Sequence, residues 1–236
     1  MDFGSPIFWV AFGQIILADI LLSGDNAIVI ALAARSLPPE QQKRAILIGS
    51  GAAIVMRTLL TLVAAQLLML PWLKLIGAAL LFYIGVTLLL PEDDDEASGD
   101  SKVKGSMAAA IRTILIADLV MSLDNVIAVA AAAKGSTFLL IMGLAISIPL
   151  MIYGSSFLLK LIERFPLIVW IGAALLGFIA GEIALTDPVI LPWVEQQAQA
   201  LSLSSHTLAQ LAGLVGAVFV VLLSMFMLRR HKIAAL

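Results

Sequence analysis

Seven apolar runs, each long enough to cross about 30 Å of hydrocarbon, divide the chain: residues 8–32, 45–66, 72–90, 109–133, 138–159, 167–186 and 207–228. In lipid the backbone has no water to bond, so runs of this length read as helices. The pattern predicts an all-α polytopic membrane protein. Prolines punctuate it: Pro38 and Pro39 break the chain after the first run, Pro71 opens the third, Pro91 closes it, and Pro188 and Pro192 follow the sixth. An acidic Ser/Gly-containing stretch at 92–106, with Asp93, Asp94 and Asp95, is the one flexible linker, and it splits the chain in two.

The halves repeat. Residues 18–26 (ADILLSGDN) and 117–125 (ADLVMSLDN) match at a constant offset of 99 in two Asp, one Ser and one Asn. Leu and Ala recur by chance in apolar sequence, whereas four polar residues at identical spacing do not. A second match, 71–80 (PWLKLIGAAL) against 166–175 (PLIVWIGAAL), lies at offset 95. Three spans therefore recur, and because three is odd the second copy crosses the bilayer the other way up. The expected organisation is a first three-helix repeat over 1–91, the linker over 92–106, an inverted repeat over 107–187, an extracytoplasmic loop over 188–206, and a seventh helix with a basic tail over 207–236. Inverted 3+3 repeats are a transporter architecture.

Charge sets the orientation. Of 14 Lys and Arg, eleven fall at one set of alternate ends; Lys74 and Lys134 fall at the other, and Arg57 lies inside the second span. By the positive-inside rule the N-terminus is outside and the C-terminus cytoplasmic. The first run carries carboxylates and follows Asp2 rather than a basic segment, so it reads as a retained span, not a signal peptide. With 61% apolar and 13% charged residues, and a mean hydropathy of +1.08, no room remains for a soluble catalytic domain. There is no cysteine, which excludes thiolate metal sites and Cys nucleophiles. His206 and His231 sit in polar flanks, where neither is placed for a membrane site. Nothing points to nucleic acid, and no phosphate-binding Gly-rich segment suggests nucleotide hydrolysis.

The polar residues inside the spans carry the chemistry. Asp19, Asp25, Asp118, Asp124 and Glu182 face one guanidinium, Arg57. An Asp at a helix centre costs about 2.5–3.5 kcal/mol on insertion scales, so four unpaired ones would cost on the order of 10 kcal/mol. Bound cations or protons must supply the difference. Inversion pairs Asp19 in depth with Asp124, and Asp25 with Asp118, flanked by the oxygens of Asn26, Asn125, Ser23 and Ser122. On an unbroken helix Asp25 points about 120° away from Asp19, so a common site implies unwinding at Gly24. Oxygen donors without Cys or buried His favour Mn²⁺, Mg²⁺ or Ca²⁺ over Cu⁺ and Zn²⁺. The opposing reading makes the acids packing groups, with Arg57 as a counter-ion and Glu182 reaching the interface.

The duplicated intramembrane motif, LSGDNA at 22–27 and MSLDNV at 121–126, each with an Asp six residues before its second Asp, resembles the TerC family of integral membrane proteins. That resemblance implies a bacterial inner-membrane metal transporter, with Mn²⁺ efflux the best supported activity, and tellurite resistance as the origin of the family's name. The family's motif acids and amides correspond to Asp19, Asp25, Asn26, Asp118, Asp124 and Asn125. Regulation through an appended soluble domain is not expected. The expected function is divalent-cation transport rather than an enzymatic reaction, Mn²⁺ being cargo, with no permanently bound cofactor and with Ser23, Ser122, Arg57 and Glu182 as supporting or gating residues. Its partners are the metal ion and the bilayer, and a homo-oligomer is compatible with this. A proton-coupled exporter of small organic solutes and a non-transporting metallochaperone or scaffold are the alternatives.

Overall fold

Each apolar run falls on one helix. In a computed structural model, which describes residues 6–67, 70–90, 106–132 and 137–234, the chain forms eight helices and no strand among the described residues. They are α1 (Pro6–Ala34), α2 (Pro39–Leu67), α3 (Leu73–Thr87), α4 (Met107–Ala132), α5 (Thr137–Arg164), α6 (Leu167–Ala184), α7 (Leu191–Ala200) and α8 (Ser205–Ala234). Side chains are described for most of these positions; those of 6–8, 11, 14–23, 62, 64–66, 124–132, 137, 139–141, 143–148, 150 and 231–234 lie outside the described set. Among the described residues, Pro39–Thr61, Leu167–Ala184 and Ser205–Arg230 are long and apolar enough to cross a membrane on those grounds alone.

Two differences from the sequence reading have physical causes. Helix α1 runs unbroken through Gly24. One mid-helix glycine costs about 1 kcal/mol, whereas opening backbone hydrogen bonds in lipid costs several kcal/mol for each group exposed. The intact helix wins. The segment after Pro188, read as a loop, holds the ten-residue α7, with Pro192 in its first turn, where a missing N–H costs nothing. The linker 92–105 lies outside the described residues.

The helices sort into two packed groups. Helices α1, α2, α4 and α5 pack on one another, mainly as α1 on α5, α2 on α4 and α1 on α4; α6 packs on α8 and on α3. Contact between the groups runs chiefly through α3 on α4 and α1 on α6. Each half of the sequence thus contributes helices to both groups. Small residues set the closest approaches: a Cβ at Gly177 would lie 2.5 Å from the Gly216 carbonyl oxygen, and one at Gly172 would lie 2.6 Å from Leu32 Cδ1. Ile84, Leu81 and Ala78 of α3 are buried against Val120 and Met121 of α4 and Leu176 of α6.

Helix α3 is held at both ends by groups from elsewhere in the chain. The Asp187 carboxylate, fully buried, accepts N–H bonds from Trp72 (3.2 Å), Lys74 (3.1 Å) and Leu75 (3.3 Å) at the start of α3, and from Val189 (2.9 Å). Trp72 takes a positive φ of 68°, uncommon for a bulky residue, and its N–H is one of those held. At the other end Arg35 Nη2 donates to the Leu88 carbonyl at 2.6 Å.

Candidate metal centre

Asp118 and Ser122 are four residues apart, so α4 presents both on one face. Arg57 of α2 meets that face with its whole fork: Nη2 donates to Asp118 Oδ1 at 2.5 Å and Nε donates to Ser122 Oγ at 3.0 Å, while Ser122 Oγ donates to Asp118 Oδ2 at 3.3 Å. Arg57 is 2% exposed, and it is the largest of the fully buried side chains among the described residues. Its planar, permanently charged group satisfies a carboxylate and a hydroxyl together, which a lysine could not do. Arg57 is thereby paired with Asp118, tying α2 of the first half to α4 of the second.

Asp25 lies beside this pair but outside its hydrogen bonding. It is half-buried, and its Oδ1 accepts the backbone N–H of Asn26 at 2.8 Å. Arg57 and Asp118 are both within electrostatic reach of it. Asn26, next in the helix, is buried. The structure therefore brings Asp25, Asn26, Arg57, Asp118 and Ser122 together from α1, α2 and α4, in the middle of the bundle. Asp19 and Ser23 on α1, and Asp124 and Asn125 on α4, have side chains outside the described residues. Among the described residues no three His, Cys, Asp or Glu side chains stand close enough to hold a metal ion.

Glu182 is not part of this cluster. It lines a cavity of about 440 Å³ that Asp25 also lines, bounded by α1, α4, α6, α7 and α8, with Thr186, Ser205 and His206 adding polar groups. His206 belongs there despite its polar flank, because the first turn of α8 folds back beside the end of α6. No spacing in the sequence signals that convergence, since residues 25, 182 and 206 lie on three different helices. Asp187 is likewise invisible beforehand; Asp-Pro after an apolar run reads as an ordinary turn.

The duplicated Asp–Asn motif lies on two helices, α1 and α4, that pack together in the bundle. Residues 4–232 match the family described as Integral membrane protein TerC family. The chain belongs to this family. Within it, the sequence is 43% identical over 169 residues to the membrane protein YjbE of Bacillus subtilis (strain 168), covering 72% of this chain and 76% of that one. It is 28% identical over 186 residues to YceF of the same organism, covering 76% and 72%. It is 25% identical over 176 residues to the inner membrane protein YgdQ of Escherichia coli (strain K12), covering 68% and 74%. No solved structure matches. TerC membership and the apolar helices make this an integral membrane protein.

Proposed function

We propose that this TerC-family protein is a secondary transporter of divalent cations, moving Mn²⁺ outward across a bacterial inner membrane, and not an enzyme. The observation that carries the reading is Asp25. A half-buried carboxylate stands mid-bundle on a cavity, while the one intramembrane cation is already paired with Asp118. A carboxylate in that setting calls for a mobile cation or a proton. Hard oxygen donors suit Mn²⁺, Mg²⁺ or Ca²⁺, and the family resemblance favours Mn²⁺. Asp19, Asp124, Asn26 and Asn125 are the further ligands in this reading, and no cofactor is retained.

The proposed topology has seven spans, the N-terminus outside and the C-terminus cytoplasmic, with α3 and α6 as corresponding helices of an inverted repeat. The helix packing supports the correspondence of the helices, because exchanging α1 with α4, α2 with α5 and α3 with α6 turns the α1–α5 contact into the α4–α2 contact and returns α3–α6 to itself. Since both groups of helices draw on both repeats, the moving bodies are the two groups, not the two repeats.

The test is export. Cells without their own Mn²⁺ exporter, expressing the protein, should tolerate raised Mn²⁺ and hold less of it by elemental analysis; Asp25→Asn, at matched membrane abundance, should lose about tenfold or more of the Mn²⁺ flux in proteoliposomes. Unchanged Mn²⁺ flux with rising amino-acid efflux would favour the organic-solute reading. Mn²⁺ binding with no flux would favour a metallochaperone.

A further inference from the structure

The cavity beside Asp25 lies on the seam between the two groups of helices. Asp25 and Met121 wall it from the four-helix group, and Ile179, Glu182 and Thr186 wall it from α6 and the turn that follows, with His206 contributed by α8. Around it the bundle packs backbone on backbone, as at Gly177 and Gly216. A cavity of about 440 Å³ lined in part by carboxylate, hydroxyl and imidazole groups is one that water or a polar ligand fills. At about 30 Å³ per water, a divalent cation carrying six waters occupies on the order of 200 Å³, so the space admits one. Its polar lining is spread along the way: Asp25 in the body of the bundle, Glu182 within one turn of the end of α6, and Ser205 and His206 on the first turn of α8. Glu182 has no ion-pair partner among the described residues.

We propose that this cavity is the passage along which a hydrated divalent cation moves between Asp25 and the membrane face at which α6 ends and α8 begins. The identity of the cargo rests on the function proposed above; the existence of the passage does not. Glu182 stands in its wall as a way-station carboxylate. The two groups of helices form its opposite sides, so their relative movement opens or closes it.

The chain has no cysteine, so single cysteines can be placed in an otherwise native protein. Ile179→Cys and Thr186→Cys, in oriented membrane vesicles, should react from one face with a charged, membrane-impermeant methanethiosulfonate. They should do so at least ~10-fold faster than Val215→Cys on the exposed, lipid-facing side of α8, because a thiol must ionise to react and does not do so in hydrocarbon. Millimolar Mn²⁺ should slow labelling of Ile179→Cys, and adding Asp25→Asn should remove that protection. Should the Ile179 variant misfold, the Thr186 variant, at the turn after α6, carries the same comparison. Reaction of both cavity cysteines no faster than Val215→Cys overturns the passage. Fast labelling that Mn²⁺ never slows overturns its use by the cation. Fast labelling and Mn²⁺ protection in a protein that moves no Mn²⁺ would leave the passage standing and refute the transport reading.

Discussion

At the scale of single residues, the pairing of Arg57 with Asp118 decides how the remaining charges behave. Two opposite charges removed from water repay their desolvation only with near-ideal geometry, and here the guanidinium spans a carboxylate and a hydroxyl with both contacts buried. Removing one partner is a different matter from removing both. Arg57→Met should destabilise the detergent-solubilised protein by about 3–5 kcal/mol, the usual cost of stranding one member of a buried pair. Adding Asp118→Asn should recover most of that loss, and thermal unfolding followed by tryptophan fluorescence would measure both. A single Arg57→Met variant as stable as the parent would mean that Asp118 is neutralised by something other than the guanidinium. The sequence announced one cation against five carboxylates but could not choose the partner, because residues 57 and 118 meet only through the packing of α2 on α4.

At the scale of helices, apolar run length was enough to place α1 to α6 and α8, since lipid leaves the backbone few other choices. The details that a run length cannot carry are the ends. Helix α3 begins at a strained Trp72 and is capped from 115 residues away, by a side chain whose local sequence suggests a turn. Burial pushes the Asp187 carboxyl up, but the N–H groups of Val189, Leu75, Trp72 and Lys74 outweigh it and hold the group below the usual carboxylate range. A carboxyl held lower when folded than its unfolded value of about 3.9 stabilises the protein above that pH. The contribution disappears as pH falls through the folded value. Asp187→Asn should therefore lower stability at pH 7, by the part of the capping that needs the ionised carboxylate, and the gap between variant and parent should close in acid. An equal gap at pH 7 and in strong acid would show that the ionised carboxylate is not what holds α3.

At the scale of the whole molecule, the sequence offers two polar motifs at one offset, whereas the interleaving of its two halves is visible only in the helix packing. An offset says which helices correspond and nothing about which ones touch. Here the motif helices α1 and α4 pack together in one group, while α3 and α6 stand in the other, with α8 fixed to α6 through glycine. Unwinding at Gly24, required if Asp19 and Asp25 are to meet on one helix, is replaced by an intact α1 on which Asp25 turns toward the cavity.

The segments at 71–80 and 166–175 begin α3 and α6, and at the same offset of 95 Ile84 corresponds to Ile179. Ile84 is 5% exposed in the core, while Ile179 walls the cavity. Two corresponding positions thus stand in two different environments within a single molecule. Under the proposed inverted repeat, exchanging these environments between halves generates a second conformation, in which the opening lies on the opposite face and Ile84 lines it. Ile84→Cys, shielded in the conformation described here, should then become reactive from the face at which α3 ends whenever an opposing ion gradient drives the protein across its cycle. If it stays unreactive from both faces while cargo moves, the halves do not trade places. If it reacts, each half is a template for the other, and the atomic arrangement at one end of the cycle can be read from the end already in view.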